Sequence, residues 1–217
     1  MLALKPYSPP VGFTFDQASH QGRMNGEFWP SATQLLSESK LIDFSMVPRE
    51  VLERKQIMGT RVHAAIHAID DCDLDEEDTA ERFPEILKPL EAYRKFRIHK
   101  AFEVGPRVPR MVSKKWKFHG ELDEWGWIEG DQRRIYILDH KCSWEMYPSV
   151  GPQTAAYAIL LEECYGIRAK ERYGLQLKED GSYELHSLKD AIDKSDFLAC
   201  LQLHWRRRNK YKTITLK

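Results

Sequence analysis

Between Pro48 and about Asp70, apolar residues return at helical spacing: Met58, Val62, Ala65, Ile66 and Ile69 form one stripe. That pattern predicts a long helix with a single buried face. The same period places Ile86, Leu90, Tyr93 and Arg97 on one side of a helix ending near His99. It recurs after Pro148 and Pro152, at Ala156, Tyr157, Leu160, Leu161 and Cys164. A last helix from about Leu188 is expected to bury Ile192, Leu198, Leu201 and Trp205, and to end in Arg206, Arg207, Arg208, Lys210 and Lys212. Elsewhere the period is two. Along Arg133–Lys141, Ile135, Ile137, Asp139 and Lys141 share one face, while Tyr136, Leu138 and His140 share the other. Glu129-Gly130-Asp131 before it is turn chemistry, and Gly120–Asp123 reads as the strand on the far side of that turn. Lys170–Leu177 and Ser182–His186 form a second hairpin around Glu179-Asp180-Gly181. Ala101–Met111 is a strand carrying Glu103, interrupted by Pro106 and Pro109 and hence expected at an edge or bulge.

The chain opens differently. Gly12–Phe15, a turn at Asn25-Gly26 and Glu27–Trp29 read as a hairpin, after which Ser31 or Thr33 caps a short helix through Leu36. Asp70 to Glu81 is acidic and reads as a solvated loop running into a helix start, with Pro84 near the first turn. These signals divide one expected domain, residues 1–217, into three parts. They are an N-terminal hairpin and helix (1–36), a helical segment (48–99), and a core with a C-terminal helix (100–217). The fold class that follows is α/β (α+β), a mixed central sheet flanked by helices.

Composition narrows the function classes. With 33 basic and 33 acidic residues the formal charge is zero, so no global field draws nucleic acid and any such contact must use local patches. No apolar run spans a membrane and no secretory signal is apparent. Cys72, Cys142, Cys164 and Cys200 are scattered, without a Cys-x-x-Cys pair. That opposes a zinc ribbon or an iron–sulfur cluster and suits reduced thiols in the cytoplasm.

The chemistry concentrates at the end of the Arg133–Lys141 strand. An acid and a lysine, Asp139 and Lys141, are held side by side on an otherwise apolar strand face. Phosphodiester hydrolysis needs divalent ions between hard oxygen ligands and a cation to orient the attacking water. Asp139 suits the ligand role and Lys141 the cation role. The backbone carbonyl of His140 lies between them, and Asp123 on the neighbouring strand completes a carboxylate pair. The competing reading of Asp-x-Lys alone is an edge salt bridge. Further along the chain, His63 follows Gly59 by one helical turn, beside the buried stripe, and Gln153 and Tyr157 stand one turn apart. His63 and His67 at i, i+4 spacing lack the glutamate that a metalloprotease helix requires.

Taken in order, Gly59 and His63, Gly120 and Asp123, Asp139 and Lys141, and Gln153 and Tyr157 resemble the PD-(D/E)XK nuclease superfamily. The branch is that of the RecB-type exonucleases, which includes phage-encoded and mitochondrial-genome-maintenance enzymes. Phe15-Asp16, His20, Asn25-Gly26 and Pro30-Ser31-Ala32-Thr33 look like the lead-in of phage members, so the resemblance spans nearly the whole chain. It implies a restriction-endonuclease-like core, with His63, Asp123 and Asp139 as ligands of Mg²⁺ or Mn²⁺ and Lys141 as the catalytic lysine. Gln153 and Tyr157 would support the site and contact the strand, and Glu103 sits where some relatives carry an acid. Glu121 is left outside the ligand set. The implied activity is a DNA exonuclease acting on single-stranded or frayed ends in recombination, repair or replication, in a bacterial or phage-infected cytoplasm. Lys114, Lys115, Lys117, Arg133, Arg134 and Arg206–Arg208 are candidate backbone contacts. Trp116, Trp125, Trp127 and Trp144 are candidates for stacking on bases, with core packing the alternative. A binding or accessory protein without turnover, and a structure-specific endonuclease, are the other classes that share these features.

Overall fold

A computed structural model describes residue 4 and residues 6–208; the expected basic positions Lys210 and Lys212 lie outside the described residues. The chain begins with a three-stranded antiparallel meander, β1 (Phe13–Asp16), β2 (Gln21–Met24) and β3 (Glu27–Trp29). The Asn25-Gly26 turn joins the last two, both residues at positive φ, as a tight hairpin turn requires. The expected hairpin therefore has one strand more than the sequence reading gave it. Helix α1 (Ala32–Glu38) starts at Ser31, whose hydroxyl accepts from the Gln34 backbone while the Gln34 side chain accepts from Ser31 N–H, a reciprocal capping box.

Helix α2 (Arg49–Asp70) buries Met58, Val62, Ala65 and Ile66, the stripe read from the sequence. The acidic stretch is, as expected, exposed loop from Asp71 to Asp75 running into a helix. That short helix, α3 (Glu76–Arg82), forms because Asp75 accepts from the Asp78 N–H as N-cap and three acids fill its first turn, where the helix dipole favours them. A 3₁₀ turn at Pro84–Ile86 leads into α4 (Leu87–His99). Then come β4 (Phe102–Val104), a two-stranded pair of β5 (Met111–Ser113) and β6 (Phe118–Gly120), β7 (Glu124–Ile128) and β8 (Tyr136–Lys141). Helix α5 (Val150–Tyr165), β9 (Glu171–Leu177), β10 (Tyr183–Ser187) and α6 (Asp193–Arg208) complete the described chain. Ile192 stands just before α6 and is 58% exposed, not buried as its spacing suggested.

The central sheet has the order β10-β9-β8-β7-β4. Strands β8 and β9 are parallel, with α5 as their crossover, and the other neighbours are antiparallel. The edge position expected for the Glu103 strand is that of β4. Two apolar clusters cover the two faces. Ile135 and Ile137 pack with Trp125, Trp127 and residues of α1, α5 and α6, while Tyr136 and Leu138 pack with residues of α2 and α4. The period-two alternation of β8 is thus a division between two cores. Among the described residues no helix is long and apolar enough to cross a membrane.

Beneath the meander, His119 on β6 is fully buried. A Cβ on Gly22 would come within 2.3 Å of its ring, so only glycine lets β2 pack there. Burial, and then the neighbouring Arg110 charge, push His119 down to about 4. A depressed histidine pKa means that the unfolded chain takes up the proton first as pH falls. Its stabilising effect is therefore present at neutral pH and lost between about 6.5 and 4. Urea unfolding at pH 7 and pH 4.5 is expected to show His119→Gln losing about 2–3 kcal/mol less than the native chain over that interval; equal losses would exclude His119 as the source.

Candidate functional site

Antiparallel pairing of β7 with β8, with Glu124 opposite Leu138, puts the start of one strand beside the end of the other. Asp123 therefore arrives next to Asp139, His140 and Lys141. It does so from a bend, not from within a strand. Gly120 ends β6 in the small two-stranded sheet, and residues 121–123 cross from that sheet to the central one. The expected continuous Gly120–Asp123 strand is thus two elements. Glu121 is drawn off in the crossing and pairs with Arg110 at 2.8 Å. Gly120 still has a packing reason: a Cβ there would meet Leu160 at 3.0 Å and the Tyr157 ring at 3.3 Å.

Four of the residues singled out by the sequence meet here. His63 on α2 places Nδ1 3.2 Å from Asp123 Oδ1. Asp123 Oδ2 accepts the His140 backbone N–H at 2.8 Å. Lys141 Nζ lies 2.5 Å from Asp139 Oδ2, off hydrogen-bond geometry. Asp139 is sealed from solvent, and neither of its oxygens has a hydrogen-bond partner among the described residues. Lys141 and His63 are partly exposed, so the group opens to solvent on one side.

The electrostatics follow from that burial. Asp123 holds the His63 pKa above the ordinary histidine value, against the effect of burial. Burial opposes ionisation of Asp123 too, but His63, and after it His140 and Lys141, hold it well below the usual carboxylate range. For Asp139 the balance reverses: burial, reinforced by the Asp123 charge, raises its pKa despite Lys141. Burial works against the Lys141 ammonium, yet Asp139 and Asp123 keep its pKa above the usual lysine value. Two acids thus share one site, each with one basic partner: His63 beside Asp123 and Lys141 beside Asp139.

Gln153 and Tyr157 lie on the buried face of α5, where the Gln153 side-chain amide donates to the Tyr157 hydroxyl at 2.8 Å. Burial, then the charges of Asp139 and Asp123, raise the Tyr157 pKa and keep the phenol neutral. Glu103 is not brought into the group. It shares the wall of a cavity of about 440 Å³ with Asp123, but its Oε2 accepts the Trp127 indole N–H at 2.8 Å. Among the described residues, no three His, Cys, Asp or Glu side chains are gathered closely enough to hold an ion as they stand. His63 is spent on Asp123, and Lys141 stands against Asp139.

Sequence reasoning missed what lies beneath. The His140 imidazole Nε2 is 2.9 Å from Glu124 Oε2, and the Tyr93 hydroxyl is 2.6 Å from Glu124 Oε1 and 2.7 Å from Asp70 Oδ1. Arg97 closes the chain by donating to Asp70 and, at 3.0 Å, to Tyr93. One phenolic proton thus faces two carboxyl groups. Burial and then the Glu124 charge push Asp70 up to about 6. The available signal was Glu124 and His140 standing on strand faces that are otherwise apolar.

The candidate nucleic-acid contacts separate cleanly. Trp125 and Trp127 are core residues, and Trp116 packs partly against the same core. Trp144 is 96% exposed. Arg133 pairs with Asp131, and Arg134 with Glu171. Lys115, Lys117 and Arg206 line one shallow hollow with Trp116 and Trp205, which joins the β5–β6 turn to the basic end of α6. No known protein-family model matches the chain, and no curated protein matches it either.

Proposed function

We propose that the chain is a metal-dependent nuclease with a PD-(D/E)XK-like core that hydrolyses phosphodiester bonds at single-stranded or frayed DNA ends. The observation that supports this reading most is Asp139, a wholly buried acid whose oxygens meet no donor in good geometry among the described residues, set beside an ammonium and a second acid–imidazole pair. A carboxylate so placed is costly unless a cation offsets it. Hard oxygens with one imidazole fit Mg²⁺ or Mn²⁺. His63, Asp123, Asp139 and the His140 backbone carbonyl would hold the ion, with His63 turning from Asp123 to do so. Bound there, it supplies Lewis acidity toward the scissile phosphate and a more acidic water. Lys141, on the solvent side of Asp139, orients the attacking water and offsets charge developing on the phosphate oxygens. Gln153 and Tyr157 keep the α5 side of the site closed to water.

The test uses end-labelled linear and circular single-stranded DNA, each with Mg²⁺ or Mn²⁺. Loss of linear strands alone is expected. Cleaved circles would make the protein an endonuclease, and bound but intact DNA would make it a binding protein and sink the reading.

Trp144 gives a second measurement. Its loop follows Lys141 directly and is pinned by the buried Gln176, whose amide donates to the Ser143 and Trp144 carbonyls at 2.8 and 2.7 Å. A rigid loop that presents an exposed indole beside the site suits stacking on an unpaired base, worth about 1–3 kcal/mol. Trp144→Ala is expected to raise KM for single-stranded DNA by about 5- to 100-fold with little change in kcat. An unchanged KM would remove Trp144 from the substrate path.

A further inference from the structure

The His140 side chain has no part in the chemistry above; only its backbone does. Yet His140 and Glu124 are nearly sealed, with side chains 1% and 3% exposed. Burying such a polar pair carries a desolvation cost that an aliphatic pair would avoid, so its geometry calls for a reason. Glu124 follows Asp123 in the chain, and His140 stands between Asp139 and Lys141. The imidazole meets Glu124 Oε2 at 2.9 Å while the backbone N–H of the same residue donates to Asp123 Oδ2 at 2.8 Å. One residue thus grips Glu124, the first residue of the opposing strand, and Asp123 just before it. From α4, Tyr93 holds the other Glu124 oxygen at 2.6 Å. The rings of Tyr93 and His63 flank the imidazole edge-on, with centroids at 5.6 and 5.8 Å. The backbone N–H that holds Asp123, the carbonyl beside it and the imidazole that meets Glu124 and packs against His63 all belong to this one residue.

We propose that Glu124 and the His140 side chain are positioning residues: their bond, backed by Tyr93, fixes the Asp123 carboxylate and the His140 carbonyl for a divalent cation. The inference rests on the metal-dependent reading and deepens it by naming what organises the ligands. Partners of this kind change metal affinity by about 10- to 100-fold without touching the ion.

The experiment is calorimetric titration of the full chain with Mn²⁺ alone, with a melting temperature recorded for every variant. Glu124→Ala is expected to weaken Mn²⁺ binding about 10- to 100-fold. Glu124→Gln keeps an acceptor for the imidazole and is expected to stay within about threefold of the native chain. Phe197→Leu lowers the melting temperature from the other core, where Phe197 packs on Phe118, and is expected to leave Mn²⁺ affinity alone. Asp139→Asn serves as the reference that removes binding. If Asp139→Asn removes binding and Glu124→Ala does not weaken it, the brace is refuted while the metal reading stands. Equal weakening by Phe197→Leu refutes it as well, because loss of stability alone then suffices. If the native chain does not bind Mn²⁺, or Asp139→Asn still does, the metal reading falls and takes the brace with it. Should Glu124→Ala not fold, Tyr93→Phe decides: it keeps the ring and deletes the hydroxyl that joins Glu124 to Asp70 and Arg97, and unchanged affinity overturns the proposal.

Discussion

Replacing Lys141 by alanine is expected to lower the rate of DNA cleavage by about 10³-fold or more while Mn²⁺ still binds. The argument starts from position. The ammonium is the cation closest to Asp139, at 2.5 Å, and it stays partly open to solvent where the acid is sealed. It can therefore reach a water or a phosphate oxygen while Asp139 cannot leave its place. Asp139 and Asp123 hold its pKa above the usual lysine value, so it acts as a fixed charge, not as a proton donor near neutral pH. Arginine should restore little, because a planar guanidinium cannot occupy the place of a compact ammonium beside a buried acid. The variant has a second signature. Without Lys141 the Asp139 carboxylate loses its nearest cation, so the metal-free protein should melt at a lower temperature and regain more than the native chain does when Mn²⁺ is added. Single-turnover cleavage assays and paired melting curves measure both. Native-like turnover by Lys141→Ala would end the assignment of this lysine to the chemistry.

Much of the arrangement around Lys141 was legible because local rules fix it. Pro48 starts α2 and the Met58–Ile66 stripe orients it; alternation along β8 separates Asp139 and Lys141 from His140. Capping chemistry narrowed the start of α1 to Ser31 or Thr33, and Ser31 is the cap. The acidic run is legible too: it is solvated as charge usually is, and Asp75 with three first-turn acids is what a short helix start prefers. What stayed hidden depends on tertiary placement. Nothing in the residues from Gly120 to Asp123 says that the chain changes sheets there, since a crossing and a strand have the same local pattern. Glu124, Tyr93 and Asp70 come from three separate elements, and each looks ordinary until α4 and β7 are packed together. Glu103 looked available as an acid until the Trp127 indole was found bonded to it.

The largest expected loss of stability comes from a residue that no sequence pattern marked. Arg172 on β9 donates to the Gly151 carbonyl at 2.7 Å, to Thr154 Oγ1 at 3.2 Å and to Asp193 Oδ2 at 2.8 Å, and reaches the Asp190 carbonyl at 3.3 Å. One guanidinium thus ties the sheet to the start of α5 and the start of α6. Gly151 is needed for this closeness, since a Cβ there would meet Asp193 Oδ1 at 2.3 Å. Arg172 and Asp193 side chains are only 15% and 11% exposed, so removing one partner strands the other. Arg172→Met keeps the stem but leaves a largely buried carboxylate without its cation and takes a donor from the Gly151 and Asp190 carbonyls, at a cost of about 3–5 kcal/mol. For a chain of this size that is a fall in Tm of about 6–20 °C. Adding Asp193→Leu removes the stranded charge and should recover part of the loss. The recovery separates a broken ion pair from simple loss of packing: a double variant no more stable than Arg172→Met alone would mean that the pair contributes little and the stem or the carbonyl bonds carry the effect.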